Sequence, residues 1–485
     1  MSEEIAIDLT EDDGNILGTE KIGRLLQKFS IPGIIALLVN ALYNIVDQIF
    51  IGRGVGYLGN GATNVVFPLT TFALAFTLMI GDGSASFMSL MLGKKKSETA
   101  ARGAACGLVF SIAAGLIISV SYLLFLEPLC RLFGATDSIL PFALEYGRII
   151  SLGIPFFAIC TAYAGIIRAD GSPKYNMFGL LSGCALNVIL DPVFIFVFKW
   201  GVAGAAWATI IGQFANAAIN LRYAFRMKTV KIGKEELRSG FCELLTVFKL
   251  GFSSFINQMV IVVVMAVQHN LLRSYGVSSE YGADIPLSAL GIAMKICGIL
   301  ISIIIGLSTG AQPIWGYNYG ARKYERVKKT YAIVVFIALT VMSAALVVFQ
   351  LFPLAIISIF GNQNAMYNDF ASKTLRIFLM MIPFFGFQVS TSIFFQAVGR
   401  PLQAAIASLS RQVFFAIPAA FILTSRIGVL GVLWSGPVAD VLGFTLTAAL
   451  LLFSWRRIFS VRSCAGDAVD SQKISDSYQH ADQHN

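Results

Sequence analysis

Apolar residues along this chain gather into long unbroken runs, separated by short polar loops. Twelve such runs stand out, near 29–52, 62–91, 104–126, 141–167, 177–198, 203–225, 247–272, 285–315, 330–354, 372–397, 404–425 and 430–453. Each is close to the roughly 20 residues a helix needs to cross a bilayer core. None has the strict alternation of a barrel strand, and an open strand could not satisfy its backbone in lipid. The pattern predicts an all-α polytopic membrane protein. The runs at 62–91 and 285–315 exceed a straight crossing, with Gly81, Gly83, Gly306 and Gly310 near their ends. A bend is expected there.

The pattern repeats. Gly93 before Lys94 and Glu98 matches Gly320 before Arg322 and Glu325. Leu132-Phe133-Gly134 matches Ile359-Phe360-Gly361, and Pro155-Phe156-Phe157 matches Pro383-Phe384-Phe385. Gly171 and Pro173 match Gly399 and Pro401, and Gly201, Gly204 and Trp207 match Gly428, Gly431 and Trp434. Every offset is 227 or 228 residues. Six spans per half is an even number, so both halves enter from the same side, as a parallel repeat about an axis along the membrane normal. The expected architecture is two pseudo-symmetric six-helix lobes around a central cleft. Its divisions are an N-terminal segment (1–28), an N-terminal lobe (29–225), a linker (226–246), a C-terminal lobe (247–458) and a disordered tail (459–485).

Composition narrows the function classes. The 485 residues are 56% hydrophobic and only 13% charged, about half the charge of a soluble domain. A net charge of +9 invites a nucleic-acid reading, but the distribution argues otherwise. With the N-terminus inside, 26 of the 36 basic residues fall in cytoplasmic segments, which is an orientation signal. A multi-pass protein of the plasma (cell inner) membrane follows, with both termini cytoplasmic, no nucleic-acid partner and a monomeric state. The first 28 residues hold seven acids and do not read as a cleavable signal. Seven scattered cysteines without paired spacing read as reduced thiols. His269, His480 and His484 suggest no metal site, and no cofactor, phosphate loop or nucleophile motif indicates an enzyme.

Polar groups inside spans are costly and so are candidates for function. Asp47, Asp82, Asp191 and Asp440 lie deep in spans, with Lys295 the matching cation. Asn40, Asn44 and Asp47 share one helix face at i, i+4 and i+7. At about 1.5 Å per residue, Asp47, Asp191, Tyr146 and Thr209 all lie roughly 21–24 Å from the inner side, with an error of about 5 Å. Asn187 sits one turn below Asp191. Pro192 removes the helical partner of the Val188 carbonyl, and a kink is expected beside Asp191. The expected result is an oxygen-rich pocket for a proton or a sodium ion. Asp82 reads as a water-facing relay or the cap of a broken helix. Lys295 is expected to be buried and paired, with Asp440 a possible partner. Glu145 and Arg148 are expected to pair locally. Phe156, Phe157, Phe384, Phe385, Phe394 and Met380, near the prolines of spans 4 and 10, are candidates to line a substrate cleft with Asn40. Such surfaces bind many shapes loosely.

Several motifs resemble the multidrug and toxic compound extrusion (MATE) family. They are Asn40-x3-Asn44-x2-Asp47 with Gly52, Asn187-x3-Asp191-Pro192, Arg168-Ala-Asp-Gly171, and Gly310-Ala-Gln312-Pro313 leading to Gly316-Tyr-Asn318-Tyr-Gly320. The resemblance runs from about residue 20 to about 458. It implies a cation-coupled antiporter that exports organic cations and other drugs by alternating access, with H+ or Na+ as the coupling ion. The family's ion-site pattern matches at Asp47, Tyr146, Asn187, Asp191 and Thr209. It departs at Ala164, where members carry an Asn. The competing reading is a related flippase of a lipid-linked precursor, which would be expected to hold phosphates with several basic residues in its cleft.

Overall fold

The computed structural model describes residues 16–55, 57–133, 135, 137–282, 284–359 and 365–459. The terminal segment before Ile16, the tail with Cys464, His480 and His484, and the His269 side chain lie outside the described residues.

The apolar runs form α1 (Ile22–Gly54), α2 (Tyr57–Gly93), α3 (Ser97–Leu132), α4 (Leu140–Ala169), α5 (Pro173–Pro192) and α6 (Gly201–Ala224). After a linker with a short helix at Lys234–Ser239 come α7 (Leu244–Gly276), α8 (Asp284–Gly320) and α9 (Tyr324–Leu351). Next is α10, a pair (Ala365–Phe378 and Ile382–Ala397) bent by 48°. Then follow α11 (Pro401–Leu409, a π-helix at Ser410–Ala416, and Ile417–Ile427) and α12 (Leu430–Ile458). Eleven single helices and one bent pair are long and apolar enough to cross a membrane. The described residues are helical, without strands.

The repeat is written into the backbone. Three left-handed residues of the first half, Lys95 (φ 59°), Gly171 (83°) and Gly201 (58°), recur as Arg322 (58°), Gly399 (78°) and Gly428 (65°). Each pair turns the chain between equivalent helices. Glycine removes the Cβ cost at two of the three turns. Each half also lends a helix to the other. α1 packs between α5 of its own half and α8, and α7 packs between α11 and α2.

The long helices are not broken at their glycines. α2 and α8 run unbroken, and those residues mark close approaches instead. A Cβ on Gly83 would lie 2.1 Å from the Val247 carbonyl oxygen, and one on Gly310 2.5 Å from the Ser30 Cα. Gly93 and Gly320, and Gly33 and Gly306, face one another across the same seam, and Gly251 abuts Met79. All these contacts lie toward the face that bears the linker. There the halves are also joined by hydrogen bonds from Ser30 Oγ to the Leu307 carbonyl (2.9 Å), Gln312 Nε2 to Ser86 Oγ (2.9 Å) and Ser254 Oγ to Asp82 Oδ2 (2.7 Å). The segment before α1 docks on the C-terminal half. Leu17 is buried, and the Leu17, Gly18 and Glu20 carbonyls accept from Asn318, Lys323 and Arg326.

The kink expected at Pro192 takes another form. Helix α5 passes through Pro192 into a π-helix, Val193–Val197. The missing N–H is absorbed by widening the turn, a local solution often found at functional sites.

Candidate functional site

The site is built where α1, α4, α5 and α6 converge in the half of the N-terminal bundle remote from the linker. Asp191 is fully buried and Asn187 is 2% exposed. With its amide oriented to satisfy both neighbours, Asn187 donates from Nδ2 to Asp191 Oδ2 (3.2 Å) and accepts at Oδ1 from the Thr209 hydroxyl (3.2 Å). Spacing of i, i+4 places Asn187 and Asp191 on one face of α5. Thr209 reaches them from α6.

The Asp47 side chain meets Asp191 from α1. Asp47 Oδ1 is buried without a hydrogen-bond partner, and no basic side chain pairs with either acid among the described residues. Tyr146 on α4 and Tyr43 on α1 stand close enough for their phenols to sense both carboxyl charges. An apolar layer of Ile51, Ile195, Val202 and Ala205, with Tyr146 and Phe50 against it, covers the cluster on the side away from the linker.

Four elements therefore deliver Asp47, Asp191, Asn187, Thr209 and Tyr146 to one place. Tyr43 was missed by sequence reasoning. Its i, i+4 spacing to Asp47 was the available signal. Asn44 does not join the cluster: it is exposed, and its Nδ2 donates to the Asn40 carbonyl of its own helix (2.7 Å). Asn40 is half-buried on the same helix.

The chemistry of the cluster can be tested against the two coupling ions. Asn187 and Thr209 are bonded to one another, with the Thr209 hydroxyl donating and its own lone pairs left to accept. The phenols can donate or accept, and Ala164 supplies no oxygen. Two facing carboxyls with surrounding donors suit a proton. A cation would find the carboxylate oxygens together with hydroxyl and phenol oxygens.

The other acids behave differently. Asp82 does not cap a broken helix. It is inside the continuous α2, accepts from Ser254 of the other half, and has Arg168 of α4 close by. Ser254 in turn accepts from Gln396 Nε2 (3.2 Å). Asp440 pairs with Arg411, not with Lys295. The guanidinium lies 4.0 Å from the centre of the Phe385 ring. Lys295 is exposed rather than buried, because Arg411 on the π-helical part of α11 occupies the place at Asp440. Glu145 and Arg148 are both exposed and do not pair with each other.

Among the cleft candidates, Phe156 packs edge-on to Phe214 (5.2 Å) and Phe384 stacks on Phe444 (4.5 Å). Phe157 borders a small cavity with Thr70 and Gln213. Met380 is half-buried beside the bend of α10. Phe394 is corrected: it is fully buried among Trp315, Tyr331 and Phe395, so it holds the C-terminal core together and lines no cleft.

The MatE family profile matches residues 32–193 and 252–422, one stretch in each half. The chain belongs to the MatE family. It is 26% identical over 447 residues to the multidrug export protein MepA of Staphylococcus haemolyticus (strain JCSC1435), covering 91% of this chain and 94% of that one. Against MepA of Staphylococcus aureus (strain MRSA252) the identity is 25% over 434 residues, with 89% and 94% covered. Among solved structures, that of the MATE multidrug transporter DinF-BH superposes with a TM-score of 0.83. It is 33% identical and covers 91% of this chain and 98% of that chain. The acid cluster thus sits inside a MatE-family bundle, in a multi-pass membrane transporter rather than an enzyme.

Proposed function

We propose that this MatE-family protein exports organic cations and other drugs across the plasma membrane in exchange for protons, with Asp47 and Asp191 as the coupling site. The observation that carries the reading is the carboxyl pair itself. Asp191 is fully buried and accepts from Asn187, and Asp47 Oδ1 has no partner. Two like charges in a low-dielectric enclosure are unfavourable together, so enclosure of the pair favours uptake of one positive charge. A proton taken up there changes which oxygens accept from Asn187, and with it the packing of α1 against α5.

The basic-residue bias places the linker face in the cytoplasm, with both termini. The halves meet along that face, so we read this state as closed toward the cytoplasm. Protonation from outside would be followed by separation of the glycine seam and loading of drug from within. The names of the MepA relatives and of the DinF-BH structure support drug export. A flippase of a lipid-linked precursor is not favoured: Asp440 and Phe385 hold Arg411, and Arg148 and Lys295 remain the other candidate basic groups within the spans.

The test is export of a fluorescent organic cation from proteoliposomes. We expect transport under an imposed pH gradient and none under a Na+ gradient alone. Transport under Na+ alone would replace the proton by sodium, and transport under neither would remove the antiport reading.

A further inference from the structure

Where α1, α5 and α6 end on the linker face, a cavity of about 440 Å³ opens to the surface. Its wall includes Lys28, Lys174 and Lys228, with Ser172, Tyr175 and Phe178 between them. We propose that this cavity binds a phosphate ester, and that its source is the headgroup of an anionic glycerophospholipid of the adjoining leaflet.

Three features point to such a ligand. The first is charge. Three lysines border one opening. Lys174 and Lys228 are exposed, and Lys28 has only Glu20 at 3.9 Å. Basic pockets between membrane helices on this face are suited to phospholipid headgroups.

The second is a built-in polar floor. Ser172 occupies the N-cap position of α5 but makes no capping bond. It is 6% exposed, and its hydroxyl makes no hydrogen bond of good geometry, with the Tyr223 hydroxyl its nearest polar neighbour. The Tyr223 hydroxyl beside it is committed to Asp170 (2.6 Å). α5 also directs its N-terminus here, where the helix dipole favours an anion. A Cβ at Gly171, whose φ is +83°, would meet nothing within 4 Å, so the backbone leaves the opening clear.

The third is the position of Asp170, the acid of the Arg168-Ala-Asp-Gly171 motif. It is 1% exposed and accepts from the backbone N–H groups of Lys228 (2.7 Å) and Thr229 (2.8 Å) and from the Thr229 hydroxyl. Its charge is spent on tying the linker to α5, which sets Lys228 at the rim. At the repeat offset of 228 the C-terminal half has Val398 in place of this acid.

The lipid is favoured over a soluble ester by Phe178. It is 60% exposed and lies roughly 7–8 Å further along α5 than Pro173. The cavity therefore has a basic end at the loops and an apolar end in the span, matching a headgroup and the start of an acyl chain. This inference does not depend on the coupling ion or on the drug.

The experiment uses the full chain in micelles carrying equal phosphatidylglycerol and phosphatidylcholine, with retained lipid counted by native mass spectrometry. We expect selective retention of phosphatidylglycerol. Lys174→Gln with Lys228→Gln should weaken it about ten-fold or more, while Lys174→Arg with Lys228→Arg should preserve it. Lys94→Gln with Lys96→Gln, exposed on the same face outside the cavity, should leave it unchanged. A second arm adds inorganic phosphate. No displacement supports the lipid source, and displacement with the same lysine dependence overturns it in favour of a soluble phosphate ester. Equal retention of both lipids, or equal loss in the Lys94/Lys96 control, overturns the site itself.

Discussion

In the N-terminal half two carboxyl groups meet with no basic side chain paired to either. In the C-terminal half Asp440 meets the guanidinium of Arg411. The backbones around them follow one plan, down to matching left-handed turns, yet the buried charge is handled in opposite ways. At the offset of 227, Asp47 and Asp191 correspond to Ser274 and Pro418, and Asp440 to Gln213. A paired carboxylate is neutralised within the protein, so its state need not follow the gradient. An unpaired carboxyl cluster must take its counter-charge from outside the chain. The difference teaches that duplication supplies the frame, while placement of one basic residue separates a neutralised acid from an unpaired one, the kind proposed above as the coupling site.

The most direct way to break this contrast is exchange of each acid for its amide. Asp47→Asn or Asp191→Asn is expected to reduce gradient-driven export by at least ~10-fold, since a coupling acid in a span has no substitute nearby. Asp440→Asn is expected to keep export per folded molecule within about two-fold. Proteoliposome flux normalised to folded protein measures both, and equal losses would erase the distinction.

Removal of the cation comes next. Arg411→Ala leaves the Asp440 charge buried alone and is expected to cost about 3–5 kcal/mol of stability. Arg411→Met with Asp440→Leu should recover most of it. Thermal unfolding in detergent decides this, and an unchanged Arg411→Ala melt would show the pair to be solvated.

A smaller effect is expected at Asp82, which belongs to neither class because its donor comes from the opposite half. Ser254→Ala removes a hydrogen bond to a carboxylate, worth about 1.5–3 kcal/mol, in one transport state only. Cysteine accessibility along α7 should shift toward the state open on the linker face, with little change in the melt. The smallest effect is expected at Tyr43. Tyr43→Phe deletes a phenol beside the acid pair, worth about 1 kcal/mol. It should move the pH midpoint of export by under one unit and leave the maximal rate nearly intact.

Much of this contrast was legible in the sequence. Apolar run lengths gave the twelve spans, and the single offset gave the two halves. Depth counting placed Asp47, Asp191, Tyr146 and Thr209 at one level, and helical spacing put Asn187 with Asp191. Rotation about each helix axis is what depth counting lacks. Lys295 and Arg411 are both cations within spans, but only the structure shows which one faces Asp440. The same ignorance of rotation misplaced Asn44 and Phe394. The glycines of α2 and α8 read as bends, because a sequence marks a residue without a side chain but not the neighbour that requires its absence.

That neighbour gives the seam its character. Where Gly83 meets Val247, Gly251 meets Met79 and Gly93 meets Gly320, helix backbone lies on helix backbone. Their amides are already satisfied within their own helices, while beside them Leu25, Leu26 and Phe29 of α1 pack with Ile304, Leu307 and Trp315 of α8, and Phe87 of α2 packs with Val247 and Leu250 of α7. Separation must part these contacts and the hydrogen bonds Ser30–Leu307, Gln312–Ser86 and Ser254–Asp82, so opening of the joint has to be offset by ligand or ion binding. A single methyl added on such a surface would act on the balance between the two states rather than on the folding of either half. The resting bias of the transporter is thus heritable in single-carbon steps, at positions remote from both the acids and the drug.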